Sequence, residues 1–170
     1  SETFEVLSVS LWLTDEQRAT LTLGASTLVT ADKADDLVHD TGGLRAALDA
    51  VRSRPAPFDL DESRDSWVET LRRCHPDHFG KGGGRLCVPL HAGGSLLGIL
   101  MIGDRVSGVP FSLEDLDLLQ CIGGQVAASL LNLRLSQRCL EAKEMEAFQT
   151  MSAFFVHDLK NTASTLSLML

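Results

Sequence analysis

The sequence predicts an α+β fold, in which an antiparallel sheet flanked by helices is followed by a long C-terminal helix that forms a coiled coil. Two segments, 5–23 and 85–104, each contain a pair of apolar runs around a polar or glycine-rich turn, as β-hairpins do. Two shorter segments between them have helical spacing. No proline follows Pro110, so a single helix can continue to the end of the chain.

The first hairpin begins with the run EVLSVSLWL, from Glu5 to Leu13. The polar turn TDEQ follows, and a second alternating run starts at Ala19. Strict alternation of this kind predicts two antiparallel strands. The apolar residues that alternation puts on one face are Leu7, Val9, Leu11 and Leu13 in the first run, and Ala19, Leu21 and Leu23 in the second.

Two helices and a second hairpin are expected next. The segment GLRAALDAVR, Gly43 to Arg52, has helical spacing, and Pro55 and Pro57 end it. The segment SWVETLRRC also fits a helix, which the loop HPDHFGKGGG breaks. The strands RLCVPLH and LLGILMIGD then flank AGGS, a connection of hairpin length. One or two further strands are expected between residues 24 and 62.

The start of the C-terminal helix has a strong sequence signature. Ser112 fits the N-cap, Asp115 stands in the capping-box position, and Phe111 can pack against Leu116. If the helix continues to Leu170, a rise of about 1.5 Å per residue makes it roughly 85 to 90 Å long. Most of such a helix must find a partner outside the sheet.

Apolar residues recur at every seventh position of this helix, which is the spacing of a left-handed two-helix coiled coil. A neighbouring seam contains Leu116, Leu130 and Met151, but also Gln137 and Glu144, which weaken it, so we expect a parallel homodimer of modest strength. The alternative, an amphipathic helix folded onto its own sheet, explains only the first four or five turns. The seam residues are Leu119, Val126, Leu133, Leu140, Ala147 and Phe154, with Leu116, Leu130 and Met151 beside them.

Composition disfavours several classes of function. The chain of 170 residues has 44% apolar residues, enough for a core, but a net charge of −8, which disfavours binding to nucleic acid. The four cysteines form no C-x-x-C pair, which fits a reducing, cytoplasmic setting. No apolar run approaches the roughly 20 residues of a membrane-spanning helix. The C-terminal SLSLML leaves an apolar stripe open, so we interpret the sequence as part of a longer protein, which could itself be membrane-anchored.

One histidine of the C-terminal helix is the main candidate for chemistry. His157 is two residues from both Phe155 and Leu159, so helical geometry places it about 200° around the helix from each, facing away from the apolar stripe. Neutral imidazole is nucleophilic near pH 7. Asp158 could accept its Nδ1 proton, and Asn161 could bind a phosphoryl oxygen or orient a water. A surface histidine without a role is the alternative.

The stretch FFVHDLKN resembles the H-box of the dimerisation and phosphotransfer helix of sensor histidine kinases. That pattern is His, Asp or Glu, Leu or Ile, Arg or Lys, Asn or Thr, and usually Pro. Thr162 departs from the usual proline, so nothing here predicts the helix bend common in that family. The longer stretch FFVHDLKNTASTLSLML is similar to kinases of exosortase (PEP-CTERM) systems. The matching positions are His157, Asp158, Leu159, Lys160 and Asn161.

Residues 4 to 133 resemble a GAF domain. The elements V-P-L, L-G-I-L and F-x-x-E-D-x-x-L-L occur in the order typical of that family, although the helix that usually opens the domain is missing or shortened. The two resemblances divide the chain into a GAF-like sensor domain (1–133), a coiled-coil signalling linker (134–150) and the truncated start of a dimerisation and phosphoacceptor helix (151–170).

The resemblance implies the sensory part of a two-component sensor histidine kinase. A downstream domain would use ATP and Mg²⁺ to phosphorylate His157, and the receiver domain of a response regulator would accept the phosphoryl group. Asp158 would act as general base, and Asn161 would position groups in phosphatase chemistry. No ATP-binding sequence or cofactor site of its own is expected in this part, so alone it should be inactive.

Two other interpretations of the first domain stay open. It could be a stand-alone module that binds a small ligand, such as a cyclic nucleotide or a tetrapyrrole, with the helix serving only for dimerisation. It could also bind nothing and only transmit contacts between domains.

The loop around Cys74 offers weaker candidate sites. Cys74, His75, Asp77 and His78 could be metal ligands, with Cys87 or His91 joining them, but no C-x-x-C pair supports zinc, and we expect no metal. Cys74 and His75 also resemble the attachment site of bilin-binding GAF domains, yet Gly103 and Asp104 stand where that family has a histidine. GKGGGR is not a phosphate-binding loop, because Ser or Thr and a helix do not follow it.

Overall fold

The computed structural model describes residues 6, 8–15, 20–27, 41–73, 85–103 and 109–168, and the side chains of all of these except 41–42 and 161–168. The described strands are β1 (Val9–Asp15), β2 (Thr20–Ser26), β3 (Phe58–Asp59), β4 (Leu86–Ala92) and β5 (Ser95–Ile102). The described helices are α1 (Thr41–Arg52), α2 (Ser66–Arg73) and α3 (Leu113–Leu168).

The five strands form one antiparallel sheet in the order β2-β1-β5-β4-β3. Both predicted hairpins are confirmed, as β1–β2 and β4–β5, and so are the two helices between them. β3 is a two-residue edge strand in the region where a further strand was expected. Gly93 and Gly94 join β4 to β5 with φ angles of 59° and 79°, which glycine adopts without a steric penalty. The α+β fold is confirmed.

Helices α1 and α2 cover one face of the sheet. Leu44 and Val51 of α1 and Leu71 of α2 are buried in one apolar cluster with Ile99 and Met101 of β5. The helices bury these residues because their apolar positions recur at helical spacing on one side.

Strand β1 alternates as predicted, but its leucine face is not the fully buried one. Leu11 and Leu13 are half-buried, whereas Ser10, Trp12 and Thr14 on the opposite face are buried. Trp12 belongs to the cluster under α1 and α2, so the polar residues of β1 face that interior.

The first turns of α3 cover the other face. Leu119 packs there with Val88 and Ile102. Gly123 approaches β4 so closely that a Cβ at this position would lie 2.8 Å from Cγ1 of Val88. The seam residue Leu119 therefore packs on the sheet of its own chain. This agrees, for the first turns of α3, with the alternative in which the helix folds onto its own sheet.

The N-terminus of α3 has the predicted capping box. The Ser112 N–H donates to Oδ2 of Asp115 at 2.7 Å, and the Asp115 N–H donates to Oγ of Ser112 at 3.3 Å. Phe111 and Leu116 both pack against the second core cluster. The helix begins at Leu113 because these reciprocal bonds satisfy donors that the helix itself leaves unpaired.

An ion-pair network joins Arg85, the residue directly before β4, to the loop between β3 and α2. Asp61 accepts bonds from the Arg85 backbone N–H and guanidinium, both at 2.8 Å, and lies 3.4 Å from Nε of Arg72. Burial alone would raise the pKa of Asp61, but the hydrogen bonds and charge of Arg85, together with the charge of Arg72, outweigh it and lower that pKa. The network fixes the loop to the edge of the sheet.

The chain divides into two compact units, residues 1–131 and 132–170. In the second unit α3 exposes its large apolar side chains, with Leu133, Leu140, Met151, Phe154 and Leu159 between 58% and 70% exposed. By length and composition alone α3 could cross a membrane, a weak indication because core helices of soluble proteins pass the same test. The predicted domain boundaries and the pairing of this helix stay predictions.

Candidate functional site

The candidate phosphoacceptor lies on the part of α3 that belongs to the second unit. His157 and Asp158 are both exposed. Position 161 is helical, but the side chain of Asn161 lies outside the described residues. The structure therefore places all three predicted positions on one continuous helix.

The apolar stripe on the opposite side of α3 from His157 is exposed in the described structure. Phe155 and Leu159 are 60% and 70% exposed, and helical geometry puts both about 200° from His157. A partner that covers this stripe would leave the histidine accessible on the other side of the helix. That is the arrangement an imidazole needs in order to meet a visiting phosphoryl donor.

Helical geometry also limits how the three predicted positions can cooperate. Position 161 is one turn beyond His157 and lies on the same face of α3, whereas Asp158 is about 100° away from it. A group at 161 can thus share a substrate with the imidazole. Asp158 is better placed to act through a bound partner or a water than by direct packing on its neighbour.

The weaker candidate sites are only partly described. Cys74, His75, Asp77, His78 and the GKGGGR loop lie outside the described residues. Cys87 is buried in the cluster under α1 and α2. Within the described ranges, no group of three or more His, Cys, Asp or Glu residues is arranged to hold a metal ion.

The structure brings together polar side chains that the sequence analysis did not single out. Oγ1 of Thr14 donates to the backbone oxygen of Leu96, and the Ser10 and Ser26 hydroxyls are 2.7 Å apart. Nε1 of Trp12 and both ring nitrogens of His91 are buried and have no hydrogen-bond partner within the described structure. The sequence contains a pattern that could have indicated this polar face, because Ser, Ser, Trp and Thr occupy every second position from 8 to 14. The sequence analysis followed the alternating leucines of the other face instead.

A cavity of about 750 Å³ lies at the β3 edge of the sheet. The Arg54 guanidinium stacks there, 5.5 Å from the ring centroid of Phe58 and 5.2 Å from that of Trp67, and forms an ion pair with Asp65 at 3.4 Å. The cavity has both acidic and apolar walls, so it indicates no single ligand class. Its lining includes Arg54, Phe58, Asp59, Glu62, Leu86 and Phe111.

Comparison with solved structures finds the same fold in several signalling proteins. The chain matches the GAF domain of a phosphoenolpyruvate-protein phosphotransferase from Coxiella burnetii with a TM-score of 0.56 and 22% identity, over 78% of this chain and 76% of that one. It matches a domain of a putative two-component sensor histidine kinase from Sinorhizobium meliloti 1021 with a TM-score of 0.50 and 19% identity, over 77% and 83%. It also matches a red/green cyanobacteriochrome in its red-light-absorbing state. That match has a TM-score of 0.54 and 16% identity, over 79% of this chain and 88% of that one.

At these identities the structural matches show the fold and no more. No curated protein matches the chain. The family model of the GAF domain matches residues 1–130, which include the whole sheet and the turns of α3 that pack on it. On that match and on the observed sheet and helices, the chain belongs to the GAF domain family.

Proposed function

We propose that this chain is the sensory and regulatory part of a two-component sensor histidine kinase, with His157 as phosphoacceptor. The observation that carries the proposal is the motif from His157 to Asn161 on a helix that continues directly from a GAF domain. The fold shared with a domain of a putative sensor histidine kinase supports it at the level of architecture only. Assignment to the exosortase-associated kinases rests on the resemblance of the sequence of residues 154–170 to those kinases.

The proposed reaction transfers the γ-phosphoryl group of ATP to a ring nitrogen of His157 and from there to a carboxylate oxygen of a receiver domain. The bond from the γ-phosphorus of ATP to its bridging oxygen breaks, a bond to a ring nitrogen of His157 forms, ADP leaves, and the imidazole proton passes to a base, for which Asp158 is the candidate. A carboxylate of a receiver domain then takes the phosphoryl group. ATP and Mg²⁺ would be bound by another domain of a cytoplasmic kinase module, outside this chain.

A parallel homodimer through α3 is part of the proposal. Leu133, Leu140 and Phe154 are exposed and lie seven and fourteen residues apart, which suits pairing with an identical helix. Gln137 and Glu144 lie on the neighbouring seam, so the pairing is expected to be weaker than in an uninterrupted coiled coil. A weaker helix pair needs less free energy to change its register or spacing when a signal arrives.

The test is phosphate incorporation in the full-length protein with His157→Gln. We expect the variant to fold and dimerise like the wild type but to take up no acid-labile phosphate from labelled ATP. Asn161→Ala serves as the matched control one turn away, and it should retain labelling while removing phosphate from the response regulator more slowly. Labelling that persists in His157→Gln would refute the assignment.

A second function, a ligand-binding module, is favoured by the polar interior of the sheet described above. Tetrapyrrole is the version that is simplest to test, because such a ligand absorbs visible light. A visible band in the purified protein would support it, whereas a colourless protein restricts the ligand to non-absorbing molecules.

A further inference from the structure

We propose that the cavity at the β3 edge of the sheet binds a small organic cation, an amine carried on an apolar stem. The cavity has a volume of about 750 Å³, which is within the usual range for sites that bind small molecules. All of its lining residues belong to the first unit. The proposal goes beyond the kinase function and stands whether or not His157 accepts a phosphoryl group.

The cavity has an apolar wall that the fold covers only in part. Leu86 of β4 is buried, but Phe58, Phe111 and Leu116 are half-buried, and Val109 is 56% exposed. Removing apolar surface from water is favourable, and these side chains still have such surface to cover. A ligand with an apolar stem would therefore gain free energy by entering the cavity.

The arginines around the cavity already have acidic partners. Arg54, which lines the cavity, lies 3.4 Å from Asp65 and stacks on two aromatic rings. Nearby, Asp61 forms ion pairs with Arg85 at 2.8 Å and with Arg72 at 3.4 Å. Each of these three arginines is thus neutralised by a carboxylate, and none of them is a free cation for an anionic ligand.

Two carboxylates of the lining are not neutralised within the described structure. Asp59 accepts the backbone N–H of Asp61 at 2.7 Å, a bond that leaves its negative charge in place. Glu62 is exposed and forms no ion pair there. Because the paired groups cancel one another, the remaining charge of the lining is negative. It attracts a cation and repels an anion.

The apolar wall and the two carboxylates together define the ligand, although the mixed lining alone does not. A metal ion would gain nothing from the apolar wall, and an uncharged apolar molecule would leave the two carboxylates without a counter-charge. An amine satisfies both parts if its stem contacts Phe58 and Phe111 and its ammonium group approaches Asp59 and Glu62. Such a cation also needs no buried partner, because Glu62 is open to solvent.

The position of the cavity gives binding a measurable effect on stability. Its walls come from residues 54–63, from Leu86 and from residues 109–116, which are distant in sequence. Only the folded chain brings these segments together, so a ligand that contacts all of them binds the folded state alone. Such a ligand raises Tm as its concentration increases.

Ligand-detected NMR with three matched probes tests the proposal on the purified chain. Tryptamine is a cation at pH 7, tryptophol has a hydroxyl group in place of the amine, and indole-3-propionate has a carboxylate. We expect saturable binding of tryptamine, weaker binding of tryptophol, and binding of indole-3-propionate at least fivefold weaker than that of tryptamine. Tryptamine should also raise Tm.

A double variant tests the role of the two carboxylates. Asp59→Asn with Glu62→Gln removes both charges, keeps the size of the side chains and leaves an amide oxygen that can accept the Asp61 N–H. Tryptamine should bind this variant at least fivefold more weakly, at the level of tryptophol. Glu144→Gln with Glu146→Gln changes the net charge equally in the second unit and should bind tryptamine like the wild type.

Val109→Lys provides an independent test, because it adds a cation at an exposed position of the lining and leaves both carboxylates intact. It should also weaken tryptamine binding at least fivefold, and it replaces the double variant if circular dichroism shows that variant to be misfolded. No saturable binding of tryptamine, equal binding of the three probes, or full tryptamine binding by a folded double variant or by Val109→Lys would each overturn the proposal.

Discussion

Adding one methyl group at Gly123 tests how α3 packs on the sheet. A Cβ there would lie 2.8 Å from Cγ1 of Val88, which is only 1% exposed on a strand and cannot rotate away freely. Overpacking of this kind costs about 1–3 kcal/mol. Replacing Gly by Ala within a helix also stabilises the helix by about 1 kcal/mol. Gly123→Ala should therefore destabilise the domain by up to about 2 kcal/mol or leave it unchanged.

The adjacent glycine supplies the control. A Cβ at Gly124 would meet nothing within 4 Å, so Gly124→Ala gains the helix propensity alone and should stabilise by about 1 kcal/mol. The two variants should thus differ by about 1–3 kcal/mol in the free energy of unfolding. That difference corresponds to roughly 4 °C in Tm per kcal/mol.

Urea unfolding followed by tryptophan fluorescence measures this difference, because Trp12 and Trp67 both report on the first unit. A double variant with Val88→Ala locates the cause. If the 2.8 Å contact is responsible, Gly123→Ala should cost less in the Val88→Ala background than in the wild type. Equal stabilisation by Gly123→Ala and Gly124→Ala would refute the packing of α3 on β4.

Three further predictions concern the dimer, the ion-pair network and the helix cap. Leu140→Lys should weaken dimerisation at least tenfold in sedimentation equilibrium, whereas Leu135→Lys, similarly exposed but about 140° around the helix, should not; equal effects would contradict the seam. Asp61→Asn should destabilise by about 1–3 kcal/mol at pH 7, because Arg85 and Arg72 each lose an acidic partner. The folded-state pKa of Asp61 is lowered, so its contribution to stability is complete above the unfolded pKa of about 3.9 and is lost as pH falls through the folded value. In urea unfolding near pH 3, the wild type and Asp61→Asn should therefore differ less in the free energy of unfolding than at pH 7. A difference that does not change with pH would contradict this. Ser112→Ala should cost about 1 kcal/mol in the same assay, and no loss would show that the capping box is not stabilising.

Local patterns predicted the elements of this fold well. The glycine-rich turn between β4 and β5 and the capping box at Ser112 are written in a few neighbouring residues, and both were confirmed. A further strand was predicted only somewhere between residues 24 and 62, because the two residues of β3 carry no periodicity that would locate it. Its position depends on pairing with Cys87 and Leu86, which are distant in sequence.

Features that depend on tertiary contacts were harder to predict. The alternating leucines of β1 suggested that their face would be the buried one. In the structure the opposite face, with Trp12 and its polar neighbours, packs under α1 and α2. His91 became part of that interior only through its register with Leu96. The stacking of Arg54 on Phe58 and Trp67 likewise depends on the packing of the β3 edge. The role of His157 rests on a resemblance that single-chain geometry does not test.

The most direct test of the central claim is to map phosphate on the full-length protein by mass spectrometry under conditions that preserve phosphohistidine. Trypsin should release residues 144–160, from Glu144 to Lys160, a peptide whose single histidine is His157. We predict that ATP-dependent phosphate is found on this peptide, on the imidazole. Phosphate on a different segment, or a peptide that stays unmodified while the kinase is active, would contradict the account.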